Sequence, residues 1–151
     1  MPTGTREIQP IGHAQIRRPG SDITVVTWGS IQDRVLQSAQ ALARQSIAAE
    51  VIDARWVRPL DLDLVLDSVR RTGRLAVVHE AHTTGGVGGE VVSAVAEAGI
   101  ALKAPPIRIG APPTRIPAAP ALAEAVIPTA ERITRALASA VTSTPDLQPA
   151  A

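Results

Sequence analysis

The amino-acid sequence predicts a three-layer α/β/α domain with a mostly parallel sheet. Short runs rich in Val, Ile and Leu alternate along the chain with segments whose apolar residues recur at helical spacing. The 151 residues are enough for one domain that buries most of its apolar surface. We find no internal repeat, and we expect one domain over residues 13–142, with a linker or tail at 1–12 and a disordered tail at 143–151.

The first half of this domain is expected to begin with a short edge strand at residues 14–17. A β-branched run at residues 23–28 predicts a buried strand, and residues 49–53 predict a third. Between them, apolar residues at helical spacing predict a helix that has Ser30 as its N-cap and continues to about Gln45. This order indicates that the two buried strands run parallel to each other.

The next helix follows a loop at residues 55–61. Asp61 is its expected cap, because Asp is a preferred N-cap residue. Arg70 and Arg71 form a basic end that suits a helix C-terminus, and Gly73 is expected to stop the helix.

The second half continues the alternation of strand and helix. The expected elements are a strand at 74–79, a helix at about 87–98, a short strand at 107–110 inside the proline-rich connection 104–120, a weak helical turn at 121–125, and a final helix opened by Pro128 and Thr129. The final helix carries Ile133, Leu137 and Val141 on one face, which predicts that this face is buried.

Composition excludes several classes of function. The net charge of +1 gives no electrostatic basis for binding nucleic acid or an acidic membrane. Cysteine is absent, so disulfides, thiolate metal sites and a cysteine nucleophile are excluded. Trp28 and Trp56 are the only aromatic residues, which argues against base stacking. With no signal-peptide or transmembrane run, we expect a cytoplasmic protein.

The most informative segment runs from His79 to Glu90, after the apolar run at residues 75–78. We interpret it as the end of a buried strand, a polar turn and a glycine-rich loop that opens a helix. Carboxyl ends of strands and helix N-termini are where open α/β sheets bind ligands. The candidate residues in this segment are His79, Glu80, His82, Gly85, Gly86, Gly88 and Gly89.

Two interpretations of the glycine-rich segment remain open. Glycines let backbone N–H groups approach an anion closely, so the loop could hold a phosphate. The alternative is a tight turn with close packing of helix on sheet, which we favour. Neither a P-loop ending nor a dinucleotide fingerprint is present.

The other polar residues near strand ends also have two interpretations. His79 and His82 could act in acid–base chemistry or join a metal site, but a metal needs further ligands from elsewhere. Asp53, Arg55 and Arg58 could bind a carboxylate or phosphate. We favour hydrogen bonds to a neighbouring loop for the histidines and a local Asp–Arg pair for the latter group. A serine-hydrolase triad is excluded because no Gly-x-Ser-x-Gly elbow exists.

Motifs in chain order match one known family. They are Ile11-Gly12-His13-Ala14, residues 21–29, residues 50–55, Arg58-Pro59-Leu60-Asp61, residues 68–74, Val77-Val78-His79-Glu80-Ala81, residues 84–90 and residues 128–133. Together they resemble the transketolase C-terminal domain, and in particular that of beta subunits of thiamine-diphosphate-dependent 2-oxo acid dehydrogenases of the pyruvate, branched-chain or acetoin type. The resemblance covers about residues 11–140.

This resemblance implies a five-stranded mixed sheet whose first edge strand is antiparallel to the rest. It also implies that the domain packs subunits together and helps to dock an acyltransferase core during oxidative decarboxylation of a 2-oxo acid. Under this resemblance the glycine-rich segment is a packing hinge, and His79, Glu80 and His82 are expected to face a neighbouring subunit. Thiamine diphosphate and Mg²⁺ would lie on the thiamine-binding alpha and beta domains of the same enzyme, because the Gly-Asp-Gly motif and the activating glutamate belong to those domains. We therefore expect no cofactor on this chain alone, and no catalytic or metal-binding residue.

Three departures from the family pattern bear on docking. Relatives carry an acidic residue before Ala104-Pro105 that contributes to docking, whereas this chain has Lys103. Relatives have an aromatic residue in the segment that matches residues 116–119, and this chain has none. The chain also continues past the last helix over residues 143–151. These departures argue against docking to an acyltransferase core.

Three functions follow, in our order of preference. The first is a C-terminal domain that serves oligomerisation and docking. The second is a separately encoded subunit of a split enzyme, which completes an active site with partner chains. The third is a stand-alone module that binds an anion or nucleotide in the strand-end crevice. Because relatives pack this domain against others, we also expect a homo-oligomer.

Overall fold

The computed structural model describes residues 10–142, which form five strands and five helices. In chain order these are β1 Gln15–Arg18, β2 Ile23–Thr27, α1 Gln32–Ala43, β3 Ala49–Asp53, α2 Leu62–Thr72, β4 Leu75–His82, α3 Gly88–Glu97, β5 Ile107–Ala111, α4 Pro120–Val126 and α5 Ala130–Thr142. The expected disordered tail at 143–151 and most of the expected tail at 1–12 lie outside the described residues.

The five strands form one sheet in the order β1-β3-β2-β4-β5. Edge strand β1 runs antiparallel to β3, with Gln15 opposite Asp53, while the other three pairs are parallel. The three-layer α/β/α class and the antiparallel edge strand are therefore confirmed. None of the helices over residues 10–142 is long and apolar enough to cross a membrane.

Helices cover both faces of the sheet and create two apolar cores. One core joins β-strand residues to α1 and α5, whose buried side chains include Leu42 and Leu137. The other lies beneath α2 and α3, where Val65 and Val91 are fully buried. Strand residues such as Val25 and Val26 point alternately into the two cores, as expected of a sheet covered on both faces.

A buried polar cluster ties α2 to the sheet. The Glu50 carboxylate is nearly fully buried and accepts hydrogen bonds from the Ser68 hydroxyl, at 2.5 Å, and from the Arg71 guanidinium. The hydroxyl of Thr24 lies 2.6 Å from that of Ser68 and 2.8 Å from that of Thr72. Because every member has a partner, the cluster is satisfied within the chain and acts as a structural anchor.

The ends of α2 match the sequence prediction. Asp61 accepts a hydrogen bond from the backbone N–H of Leu64 at 3.2 Å, and its second oxygen accepts from the N–H of Ala14 at 2.9 Å. Gly73 ends the helix in the left-handed conformation, with φ 73°. The aspartate therefore also fixes the start of the chain that leads into β1.

Two local predictions were wrong. Ser30 is not the N-cap of α1, because α1 begins at Gln32 and its N-cap position is Ile31, whose side chain makes no capping hydrogen bond. The polar segment after Val78 is not a turn, because β4 continues to His82. A register irregularity between Val78 and His82 lets β4 extend along β5 beyond the end of β2. Tertiary pairing thus overrides the local polarity of these residues.

This topology places one switch point at the carboxyl edge of the sheet. Strands β2 and β4 are adjacent, yet the chain after β2 enters α1 on one face and the chain after β4 enters α3 on the other. Open α/β sheets bind their ligands in the crevice at such a point. The side chains that occupy this place therefore decide what the domain can do there.

Candidate functional site

The switch point is filled by two stacked rings. The His79 side chain on β4 is fully buried, and its ring lies 5.3 Å from the Trp28 ring centroid with an interplanar angle of 18°. Trp28 directly follows β2, so the stack joins the ends of the two strands that flank the switch point. The crevice that other open sheets use for a ligand is therefore occupied here by the chain's own side chains.

Three glycines surround the imidazole of His79, and we call Gly86, Gly88 and Gly110 the glycine cradle. A Cβ atom on Gly88 would lie 2.7 Å from His79 Nε2, and one on Gly86 would lie 2.9 Å from His79 Cε1. A Cβ on Gly110 would lie 2.6 Å from the carbonyl oxygen of Ala81 and 3.0 Å from His79 Cε1. Only glycine fits at these positions, because separations below 3 Å force neighbouring atoms to move.

The protonation of His79 is set by its surroundings. Its Nδ1 lies 3.1 Å from the carbonyl oxygen of Ala81, and since a carbonyl only accepts, Nδ1 carries the proton. Burial lowers the pKa of His79 below its ordinary value of 6.5, the bond to Ala81 raises it in part, and the positive charge of Arg108 lowers it further. His79 is thus neutral at pH 7, with an unprotonated Nε2 that is buried without a hydrogen-bond partner.

The remaining polar groups of β4 bind neighbouring loops. Glu80 accepts a hydrogen bond from the Ser30 hydroxyl at 2.5 Å, so the Ser30 side chain binds β4 and does not cap α1. His82 Nε2 donates to the carbonyl oxygen of Thr114 at 2.7 Å. His79, Glu80 and His82 therefore each contact a different segment, and the structure does not bring the three side chains to one reacting centre. That they face a neighbouring subunit stays a prediction; within the chain itself the His79 side chain is fully buried.

The glycine loop, residues 85–89, uses part of its backbone internally. The N–H of Gly89 donates to the carbonyl of Gly86 at 2.9 Å, and that of Glu90 donates to Val87 at 3.0 Å. A shallow depression of about 430 Å³ lies beside this loop and is lined also by Arg108 and the acidic Glu90. The positive charge of Arg108 favours binding of an anion in this depression, and the negative charge of Glu90 opposes it.

Asp53 and Arg55 form the expected local pair. The backbone N–H of Arg55 donates to Asp53 Oδ1 at 3.0 Å, and the guanidinium Nε lies 3.8 Å from Asp53 Oδ2. Arg55 has a left-handed backbone, with φ 55°, that turns the chain after β3. Arg58 instead lines a groove of about 610 Å³ between the loop before α2 and helix α3, away from this pair.

Lys103 has a structural partner inside the chain. Its ammonium donates to the carbonyl oxygen of Thr72 at 3.0 Å, and its backbone N–H donates to the carbonyl of Gly73 at 2.8 Å. Its aliphatic stem lies over Gly73, where a Cβ would meet Lys103 Cε at 2.8 Å. A lysine at a helix C-terminus satisfies a free carbonyl and the negative end of the helix dipole. This contact gives a structural reason for Lys103 at the position before Ala104, where an acidic residue is expected from the family resemblance.

Sequence reasoning missed two residues of the site, Trp28 and Gly110. The sequence predicts Trp28 only as the last residue of a strand, since nothing in it indicates that the ends of β2 and β4 are neighbours. Gly110 carried a weak signal, because a glycine inside a strand often marks a close approach of other atoms. The pairing of β5 with β4 brings Gly110 onto the imidazole.

The site does not fit thiamine diphosphate or its metal ion. No group of three or more His, Asp or Glu side chains within residues 10–142 is placed to hold a metal. The switch point is occupied by the Trp28–His79 stack, and Glu80 is engaged by Ser30. We therefore assign no step of thiamine chemistry to these residues.

A different part of the molecule exposes apolar side chains. We call residues 112–126 the apolar segment; it links β5 to α5 and includes α4, none of whose residues is buried. Leu122 is 60% exposed and Ile116 is 39% exposed. Arg34 on α1 holds the segment by an ion pair of 2.6 Å to Glu124, and His82 on β4 holds it at the carbonyl oxygen of Thr114. The segment is thus attached to the domain without contributing to its core.

Comparison with known proteins gives a consistent result. A family model described as "Transketolase, C-terminal domain" matches residues 12–133. The acetoin:2,6-dichlorophenolindophenol oxidoreductase subunit beta of Cupriavidus necator is 40% identical over 137 residues, which cover 90% of this chain and 40% of that protein. The pyruvate dehydrogenase E1 component subunit beta of Bacillus subtilis is 38% identical over 100 residues, which cover 66% of this chain and 31% of that protein. The chain spans less than half the length of these curated relatives.

Solved structures show the same fold. The structure titled "Split gene transketolase, inactive beta4 tetramer" superposes with a TM-score of 0.75 at 29% identity, covering 87% of this chain and 43% of that chain. A 2-oxoglutarate:ferredoxin oxidoreductase from Magnetococcus marinus superposes with a TM-score of 0.57 at 14% identity, covering 86% of this chain and 19% of that chain. The second likeness concerns the fold alone.

Proposed function

This chain belongs to the transketolase C-terminal domain family, and from that premise we propose that it is the assembly-forming part of a 2-oxo acid dehydrogenase beta subunit. In this role it joins subunits and leaves the decarboxylation of the 2-oxo acid to partner domains. The beta-subunit relatives, each much longer than this chain, support the proposal. The thiamine-binding alpha and beta domains of the same enzyme are then its partners.

The apolar segment, residues 112–126, is the observation that carries this proposal. Exposed apolar surface costs free energy in water, so contiguous patches of it mark sites of protein–protein contact. Within this segment Leu122 and Ile116 are exposed, and neither side chain belongs to the two apolar cores. A partner surface that covers them would recover about 25 cal/mol for each Å² of apolar area removed from water.

Self-association is the first test. We expect a dimer or larger species in analytical ultracentrifugation of the chain at concentrations of tens of micromolar and above. The variant Leu122→Lys places a charge in the apolar segment, and we expect it to shift the population towards monomer. A wild-type chain that stays monomeric throughout the concentration series would contradict an assembly role based on self-contact.

Cofactor binding separates the assembly role from an independent enzyme. We expect calorimetry to show no micromolar binding of thiamine diphosphate with Mg²⁺ by the chain alone. Mixing the chain with a thiamine-binding partner should give a stable complex and activity on 2-oxo acids that neither component has by itself. Tight cofactor binding by the isolated chain would overturn the proposal.

The anion-binding alternative rests on Arg108 and the depression beside the glycine loop. It is opposed by Glu90 in the same depression, and by backbone N–H groups that are used inside the loop. Titration of phosphate or a nucleotide, followed by amide NMR shifts of residues 85–90, distinguishes the two functions. Saturable shifts at millimolar ligand would favour the alternative, and their absence would exclude it.

A further inference from the structure

An apolar groove runs between edge strand β5 and helix α5, away from the switch point. Its volume is about 570 Å³, within the range of roughly 300–1,000 Å³ that is typical of small-molecule sites. The apolar walls come from Ile107 and Ile109 on β5 and from Ala136 and Ala140 on α5. Because β5 is the last strand of the sheet, no further strand covers this side of the groove.

The groove exists because the facing side chains on α5 are small. Residues 132, 136 and 140 are four apart, so they lie along one face of the helix. Two of them are alanines, whose methyl groups cannot fill the space in front of β5. The third is Arg132, which places a permanent positive charge in the groove, whose lining also includes Arg108 and Ser139.

Arg132 has capacity for an anionic ligand. One guanidinium nitrogen donates to the carbonyl oxygen of Gly110 at 3.3 Å. No carboxylate among residues 10–142 forms an ion pair with it. Arg132 also lies in the first turn of α5, at the positive end of the helix dipole, where a second cation is disfavoured and an anion is favoured. Guanidinium groups bind carboxylates through two parallel hydrogen bonds.

We propose that the β5–α5 groove binds an aliphatic carboxylate, with the carboxylate on Arg132 and the hydrocarbon chain lying over Ala136 and Ala140. The distance from residue 132 to residue 140 along the helix is about 12 Å, at 1.5 Å per residue. That length suits a chain of medium size such as octanoate. The other arginine of the lining, Arg108, is held at the glycine loop by a 2.8 Å bond to the carbonyl of Thr83.

The proposal requires two features of the ligand, a negative charge and a hydrocarbon chain, and three probes test each requirement. Octanoate carries both features, octanol lacks the charge, and acetate lacks the chain. We expect saturable binding of octanoate to the full chain in calorimetry, with amide NMR shifts confined to residues 104–110 and 132–140. Octanol and acetate should bind at least tenfold more weakly.

Two variants and a matched control locate the site. Arg132→Gln removes the charge, and Ala136→Leu fills the groove; each should weaken octanoate binding at least tenfold. Arg135→Gln is the control, because Arg135 lies on the same helix outside the groove lining, and its affinity should equal that of the wild type. Thermal melts of all three variants establish that each is folded before binding is measured.

Several results would overturn the proposal. Equal binding of octanoate and octanol would show that charge plays no part. NMR shifts outside the groove would place the ligand elsewhere, and equal losses in Arg132→Gln and Arg135→Gln would indicate a nonspecific charge effect. If Ala136→Leu converts an oligomer to monomer while octanoate does not bind, the groove is a subunit contact and not a ligand site.

Discussion

The glycine cradle and the apolar segment break the usual rule of burial in opposite directions. Inside the cradle a polar imidazole is fully buried, and in the segment Leu122 is largely exposed. The buried exception is matched within the chain, because Trp28 stacks on the ring, three glycines leave room for it, and the carbonyl oxygen of Ala81 accepts a hydrogen bond from Nδ1. Only Nε2 is left without a partner. The exposed exception has no such explanation within residues 10–142. The cradle therefore serves the fold, and under the proposed function the apolar segment is covered by a partner.

The largest expected effect tests the cradle through two adjacent glycines. Gly88→Ala puts a methyl group 2.7 Å from His79 Nε2, so we expect a loss of about 1–3 kcal/mol in the free energy of unfolding, as for an overpacked core. Gly89→Ala is the matched control. Its Cβ would lie 3.6 Å from the nearest atom, a guanidinium nitrogen of Arg108, and alanine favours helix, so we expect a gain of up to about 1 kcal/mol.

Urea denaturation of both variants measures this difference. The double variant His79→Ala/Gly88→Ala should lose less stability than the sum of the two single losses, because the two side chains then no longer collide. If the two single variants were equally stable, a methyl group at position 88 would be tolerated. The glycine cradle would then not fit His79 tightly, and its burial could not be contrasted with the exposure of the apolar segment.

The second prediction concerns the apolar segment. Leu122→Lys should weaken self-association at least tenfold, which corresponds to about 1.4 kcal/mol, while the midpoint of thermal unfolding stays within experimental error. The side chain is 60% exposed, so the core does not depend on it. Sedimentation equilibrium and a thermal melt measure the two properties. Gln45→Lys adds the same charge at an exposed turn and should change neither; a matching loss of association there would assign the effect to net charge.

The third prediction follows from the lowered pKa of His79. The unfolded chain binds a proton at about pH 6.5, whereas the folded chain resists protonation until a lower pH. Between these pH values the unfolded state binds more protons, so the free energy of unfolding rises with pH. The contribution of His79 to stability is fully present above pH 6.5. Stability should therefore fall as the pH drops from 6.5 towards the folded pKa.

Denaturation of the wild type at a series of pH values between 5 and 8 checks this dependence. His79→Gln should give a flatter profile over the same range. His13→Gln is the control, since His13 is exposed, and it should keep the wild-type slope. A wild-type profile that rises towards acid would mean that His79 is favoured in its charged form, and the cradle would then stabilise a cation.

The smallest effect is expected at Lys103. Lys103→Ala removes a hydrogen bond to the C-terminus of α2, and such contacts contribute about 0.3–1 kcal/mol. We expect a small loss of stability in thermal melts and no change in self-association. Lys103→Arg should retain most of the contact. If Lys103→Ala changed self-association but not stability, Lys103 would be part of a docking surface and would not stabilise the end of α2.

Much of the fold was accessible to sequence reasoning because it depends on local patterns. The β-branched run of β2, the aspartate that caps α2 and the glycine that ends it each act within a few residues. The failures occurred where distant segments decide the outcome. Ser30 has the chemistry of an N-cap, yet its hydroxyl bonds to Glu80 on the distant strand β4. The segment His79–His82 has the polarity of a turn, yet its pairing beside β5 keeps it in the sheet.

The sequence by itself determined the alternation of strands and helices, the presence of a glycine loop after β4, and the family. The tertiary structure alone decided that the loop is a cradle for His79, and that Trp28 and Gly110 complete it. It also decided which apolar residues stay exposed. The physical reason is that hydrophobic periodicity and capping act along the chain, whereas burial and close contact depend on which strands become neighbours.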